Sequence, residues 1–240
     1  MYLPFLIGKN MTEQQAQDQL NILYDGDVNT PSSTDEDYLT RRGLLNAGIN
    51  IWENYGNTLW NELYKSLTDA LDGDKVTTTS KVYDCPTNFL NINGYVSIID
   101  SDGKPSYYKQ IQPYESEVYK ARSGQPNYFF INGDSSTGYK INLSNEQTPG
   151  HTIEYNYYSK ANNLTTTTSK FEMSDPYFAI YYALSRMYHI DGESGKANES
   201  MSLAENKLIT MKKRNGTLGY YQRNSINDRD FETGLSGFGL

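Results

Sequence analysis

The feature that most constrains this chain is the order of its hydrophobic periods, helical at both ends and strand-like between them. Thr12 and Gln15 have the spacing of a capping box, and Ala16, Leu20 and Leu23 follow on one helical face that Gly26 closes. Ser33 and Glu36 repeat the box. Asp35 and Asp37 place negative charge in the first turn, where the helix dipole favours it. Leu45, Ile49, Trp52, Leu59, Leu63, Leu67 and Leu71 then recur at spacings of three, four or seven. They predict a long helical stripe that Gly56 interrupts and Asp72-Gly73-Asp74 ends.

Residues 76–170 change character. Val, Ile, Thr and Tyr dominate, and turn pairs punctuate them at Asn93-Gly94, Asp102-Gly103, Asn132-Gly133 and Pro149-Gly150. Tyr139 to Leu143 and Ile153 to Tyr157 alternate cleanly and predict half-buried antiparallel strands. Tyr114 to Ala121 reads as a short helix. Helical spacing then returns. Asp175 caps a helix with Pro176 at its first position, and Tyr177, Ile180, Tyr181, Leu184, Met187 and Tyr188 form its buried face. A Gly192–Gly195 turn leads to a last stripe of Ala197, Met201, Ala204, Leu208 and Met211, with Asn215-Gly216 as the predicted stop. Residues 216–240 show no periodic apolar pattern and read as an extended tail with isolated aromatics.

The predicted fold class is therefore α+β. Helices from residues 1–72 and 171–215 form one bundle, an antiparallel β domain of residues 73–170 (a small sandwich or barrel) is inserted, and residues 216–240 trail as the tail. Neither the Trp52 stripe nor the Tyr181 stripe buries itself alone, so the two are expected to pack together. A chain of 240 residues can bury a real core. Its single cysteine, Cys85, excludes an internal disulfide. The net charge of −8 argues against tight gripping of a nucleic-acid backbone. No run of about 18 apolar residues marks a membrane span. Met1 to Gly8 is apolar but short, lacks a basic n-region and a signal cleavage pattern, and reads as an arm for its own domain or a neighbour. The 22 Tyr, against 8 Phe, suit surfaces that become interfaces, because each ring is apolar and each hydroxyl is wet. A simple Tyr-rich β surface explains them as well.

Catalytic and metal chemistry finds no constellation in the sequence. His151 and His189 are the only histidines, and Cys85 has no ligand pair near it in sequence. Asp100-Ser101-Asp102-Gly103 begins like a calcium loop, but its twelfth position is Ile111 where a Glu is needed, so a hairpin turn is the better reading. Gly234 to Gly239 has neither the order nor the flanking strand of a dinucleotide fingerprint. The expectation is no enzyme, no cofactor and no metal. Lys207, Lys212, Lys213 and Arg214 form a small basic run, which as a helix end would complement the dipole.

Several segments, in this order, resemble the head-to-tail adaptor (connector, or ring) proteins of tailed bacteriophages, including the tail tubular A type of short-tailed phages. Asp37-Tyr38-Leu39-Thr40-Arg41-Arg42 leads into Leu45 to Glu53, and Trp60-Asn61-Glu62-Leu63-Tyr64 follows. Val82 to Leu90 is similar to the strand, Pro and Phe-Leu opening of such β domains. Ile153 to Ala161 is similar to the returning strand, and Asp175-Pro176 with Tyr181 to Tyr188 to the final helical hairpin. The likeness spans residues 33–215.

What the resemblance implies is a virion structural protein at the head-tail interface, made in the bacterial host cytoplasm. It would form a ring, usually of twelve subunits, below the portal. That ring would continue the DNA channel without sequence-specific binding and dock the next tail or neck protein. Its partners would be neighbouring copies, the portal and that tail protein, with no membrane. Lys212, Lys213, Arg214, Tyr220, Tyr221, Phe231 and Phe238 are the candidate interface residues, the cations steering the aromatic tail toward an acidic partner surface or passing DNA. The rival reading is a monomeric carbohydrate-binding or adhesin-type β module with a helical cap. A lectin sandwich has no need of the capped Trp helix or the paired terminal helices. A hydrolase reading has only unassigned carboxylates behind it.

Overall fold

The computed structural model describes residues 11–27, 30–70, 81–121, 124, 127–147 and 150–234, with backbone alone at 69–70 and 217–234. Two compact units emerge, Met1–Glu62 with Ala161–Leu240, and Leu63–Lys160. The fold is α+β, with N-terminal helices packed on C-terminal ones and a seven-stranded sheet inserted between them in sequence.

In the helical unit, helix α1 is Glu13–Tyr24 and opens on the expected box: Gln15 N donates to the Thr12 hydroxyl (3.3 Å) and Thr12 N to the Gln15 side chain (2.9 Å). The chain segment before Phe171 supplies more partners for its first amides. Glu13 N donates to Ser169 O (2.8 Å) and Gln14 N to Thr167 O (3.1 Å), satisfying donors that a helix start otherwise leaves unpaired. Helix α2 is Glu36–Glu53. Its N-cap is Asp35 rather than Ser33, and the Asp35 carboxylate folds back to accept from Ser32 N (2.8 Å). Helix α4 is Tyr177–Ile190, and its N-cap is Pro176 rather than Asp175, one residue later than expected; the Asp175 carboxylate still accepts from Tyr177 N (3.2 Å).

The buried side of α2 carries Tyr38, Arg41, Leu45, Gly48, Ile49 and Trp52. At Gly48 the absence of a side chain is what permits contact with α4: a Cβ there would lie 3.0 Å from Ala179 Cα. Trp52 and Trp60 are both 1% exposed, their rings 5.3 Å apart, and the Trp60 indole donates to Trp52 O (2.7 Å). The segment 161–173 is stitched to α2. Asn46 donates to Leu164 O (3.0 Å) and accepts from Leu164 N (2.8 Å), while Glu53 accepts from Ala161 N (2.9 Å). Leu164, Phe171 and Met173 are buried there, so the return to the helical unit begins at Ala161, ahead of the composition shift near Lys170.

The predicted stripe does not run on as one helix beyond Glu53: Tyr55–Asn57 and Asn61–Leu63 are single 3-10 turns, and Leu71 with Asp72-Gly73-Asp74 lies outside the described residues. After Glu53 the chain turns through Gly56 and Asn57, both at positive φ, and Tyr64–Ala70 is strand β1. It pairs antiparallel along its whole length with β7, Thr152–Ser159. Spacings of four at Leu59, Leu63, Leu67 are also even spacings, and Tyr64 and Thr68 in the strand favour the extended state. Leu63 accordingly lies in the sheet unit, where its carbonyl accepts from the Ser159 hydroxyl (3.2 Å), rather than in the helical bundle.

The other strands are β2 (Val82–Asp84), β3 (Phe89–Ile99), β4 (Pro105–Gln110), β5 (Tyr128–Asp134) and β6 (Gly138–Leu143). The order is β1-β7-β3-β4-β5-β6-β2. The expected small sandwich or barrel thus takes the form of one sheet. One pair departs from the antiparallel expectation: β4 and β5 are parallel at Lys109↔Tyr128 and Gln110↔Phe129. A parallel pair needs a crossover, and α3 (Ser116–Ala121), close to the predicted short helix, lies on it. Asp102-Gly103 makes the β3–β4 turn, its Asp100 carboxylate accepting from Asp102 N (3.0 Å) and Lys104 N (2.8 Å); the calcium-like tetrad is this turn. Asn93-Gly94 is instead a bulge inside β3, where the register with β7 shifts. Phe89, Val96, Ile98, Phe129, Ile141, Leu143, Ile153 and Tyr155 gather in one apolar cluster. Each such side chain stabilises the unit by roughly 1.5–3 kcal/mol relative to exposure.

Helix α5 is Ser194–Gly234. The helical backbone runs through Asn215-Gly216 where a stop was predicted. Asn215 is occupied elsewhere: its side chain accepts from Asn61 N (2.8 Å) and donates to Leu59 O (2.9 Å), and its carbonyl accepts from the Asn61 side chain (3.2 Å).

Candidate protein interface

The basic run lies on α5 where that helix is pinned to the Tyr55–Asn61 turn. Lys207 donates to the Asp175 carboxylate (3.0 Å) and lies 5.6 Å from the Tyr177 ring centre. Lys212 stands over the Tyr55 ring at 5.1 Å. Lys213 and Arg214 are exposed. Because the helix continues past them, these cations are not a helix terminus, and complementing the dipole no longer accounts for them. Lys207 and Lys212 hold α5 in place through these partners, and exposed Lys213 and Arg214 lie close in sequence to the exposed Ile209. Tyr220, Tyr221 and Phe231 fall on the helical backbone of α5, but their side chains, and Phe238 altogether, lie outside the described residues.

A second feature of the helical unit was not singled out in the sequence. A groove of about 450 Å³ is bounded by the end of α1, the start of α2 and the end of α4. Leu44, Met187, Ile190 and Pro31 are its apolar lining, and Asp25, Asp27, Asp37 and Asp191 its acidic lining. Arg41, 7% exposed, also lines it and donates to the Asn21 side chain (2.8 Å) and to the Asp25 carboxylate (3.0 Å), with the Tyr24 ring 5.9 Å away. Burying a guanidinium is tolerable only with such partners. Tyr24 donates to the Asp191 carboxylate and packs on Tyr188, their ring centres 5.3 Å apart. That hydrogen bond, aided by burial and the Asp191 charge, pushes the Tyr24 phenol up to about 12. The sequence signal was present: Arg41 is in phase with Tyr38, Leu45 and Trp52, and a cation on a buried stripe calls for acidic partners.

Neither feature has the parts of a reaction centre. His189 is exposed at the end of α4 in the helical unit, and His151 immediately precedes β7 in the sheet unit. Burial, reinforced by the Asp84 charge, pushes the Cys85 thiol up to about 12, so it is a thiol and not a thiolate at neutral pH. Among the described residues no group of three or more His, Cys, Asp or Glu side chains is placed to hold a metal ion. No described helix is long and apolar enough to cross a membrane.

The helical unit is built from both chain ends and carries charged and apolar exposed surfaces, and the sheet unit is inserted between its halves in sequence. The sequence profile of the SU10 adaptor protein family matches residues 14–226, and the chain belongs to that family, which is one of phage head-tail adaptors. It is a family of structural adaptors and not of enzymes. No curated protein matches the chain.

Proposed function

We propose that this adaptor is the subunit of a ring of twelve copies that sits below the portal, continues the DNA channel and docks the next tail or neck component. The observation that carries the reading is the family match over residues 14–226, which takes in both helical segments and the inserted sheet together. The mechanism is mechanical. Head-to-tail contacts between adjacent subunits close a ring when the rotation between them divides a full turn. An acidic chain, with net charge −8, lines a DNA path without holding the phosphates. Residues 217–240 form the element that clasps the portal or a neighbouring subunit, with Lys212, Lys213 and Arg214 steering it to an acidic surface.

The test is co-purification of the chain with purified portal, followed by electron microscopy of the product. A ring seated on the portal is the expected result; a chain that never co-migrates with portal refutes the reading. Deleting residues 217–240 should leave the circular dichroism of the folded core and abolish recovery on portal. Equal recovery of both forms would remove the tail from the interface.

A further inference from the structure

We propose that helix α1 is a releasable strap: it undocks from α2 and α4 as one cooperative unit while the rest of the helical unit stays folded. The inference stands apart from the ring reading, and neither needs the other.

The buried face of α1 sets it apart from its neighbours. Its five buried residues are Glu13, Ala16, Gln17, Leu20 and Asn21, so only Ala16 and Leu20 withdraw apolar side chains from water. On α4 every buried residue but Ser185 is apolar or aromatic, with Phe178, Ile180 and Leu184 among them. On α2 the buried face includes Leu45, Ile49 and Trp52. The non-directional force that holds a helix on its neighbours grows with the apolar area it buries. By that measure α1 is held far less firmly than the helices it lies on.

Polar contacts take the place of apolar ones. Glu13 accepts from Arg42 (2.6 Å), Gln17 donates to Tyr38 O (3.2 Å) and Asn21 accepts from Arg41 (2.8 Å). Drying such groups costs nearly what their pairing returns, so these contacts fix where α1 docks more than how tightly. Gln17 adds a cost with no return: the residue is fully buried, and its Oε1 meets no donor among the described residues. The remaining ties lie at the surface. The first amides of α1 bond the carbonyls of Thr167 and Ser169, in a run where Thr165, Thr166, Thr168 and Lys170 are exposed. At the other end Tyr188 donates to Leu23 O (3.2 Å) and Tyr24 to Asp191, both in contact with solvent. Undocking α1 therefore returns polar groups to water and exposes little apolar surface, the condition for opening well below the free energy of global unfolding. Release uncovers the Tyr38 and Arg41 side chains of α2, which are buried while α1 is docked, and so gates access to that face.

The test is amide hydrogen exchange of the full chain at increasing sub-denaturing urea, under conditions where exchange reports the opening equilibrium. The hydrogen-bonded amides of α1, from Gln17 to Tyr24, are compared with those of α4 from Tyr181 to Ile190. The α1 amides should share one protection level, about a hundredfold or more below that of α4, with a weak urea dependence, while α4 follows global unfolding. The variant Gln17→Met, checked for folding by circular dichroism, replaces the unpaired buried amide by an apolar chain of similar size. It should slow α1 exchange by about tenfold and leave α4 unchanged. Equal protection of α1 and α4 in the wild type would overturn the proposal. So would protection that falls off steadily from one end of α1, which is fraying and not release. Unchanged or faster α1 exchange in folded Gln17→Met would overturn it too, because the polar interface would then not be what loosens the helix.

Discussion

Gly48 and Gly43 lie on the same helix, α2, and a matched pair of alanine substitutions there isolates helix packing from helix propensity. Gly→Ala in a helix interior gains about 1 kcal/mol from propensity. At Gly43 a new Cβ meets nothing within 4 Å, so Gly43→Ala should show that gain alone. At Gly48 the new Cβ would lie 3.0 Å from Ala179 Cα, 3.1 Å from Ala179 Cβ and 3.4 Å from Tyr182 Cδ1. Two of those atoms belong to the residue whose backbone faces α2, and Ala179 itself is fully buried, so α4 must move as a body. Overpacking of this kind costs about 1–3 kcal/mol, which leaves Gly48→Ala between neutral and roughly 2 kcal/mol destabilised, and about 1–3 kcal/mol below Gly43→Ala. Both tryptophans, Trp52 and Trp60, belong to the helical unit, so urea unfolding followed by fluorescence reports on that unit alone. With a urea slope of about 2 kcal/mol per molar, the two midpoints should differ by about 0.5–1.5 M. Coincident midpoints would refute the close α2–α4 approach.

Other perturbations probe the remaining joints. Trp52→Ala should destabilise the helical unit by about 3–5 kcal/mol in the same titration, read from Trp60, since the side chain is buried against a second ring. Asn215→Ala removes two side-chain hydrogen bonds between α5 and residues 59–61 and should cost about 1–3 kcal/mol, with faster amide exchange at Asn61. Tyr24 has its pKa raised from 10.0 to about 12, so the neutral phenol is the form that the folded state favours. Its contribution is complete below pH 10 and disappears as pH rises through about 12; Tyr24→Phe should remove that alkaline component from a stability–pH profile and leave the neutral range flat. Gly133 has φ +99, and a Cβ there would run into the Gly138 carbonyl oxygen. Gly133→Ala should therefore disrupt the β5–β6 hairpin, seen as loss of the strand signal in circular dichroism.

The sequence by itself determined the α+β order, the cap at Thr12, the helices opening near Glu36 and Tyr177, the alternation of β6 and β7, and the turn at Asp102-Gly103. Each depends on neighbours within a few residues, where periodicity and capping act. It also carried the resemblance that the family match shows. Only the tertiary structure decided the state of Leu63 and Leu67, because a spacing of four satisfies a helix and a strand equally and pairing with β7 settles it. The same holds for Asn215-Gly216: the pair signals a helix end locally, yet Asn215 spends its hydrogen bonds on residues 59–61, more than 150 positions away. The groove around Arg41 is of this kind too. Its acids come from three helix ends that are distant in sequence, and only packing brings Asp25, Asp37 and Asp191 around one cavity.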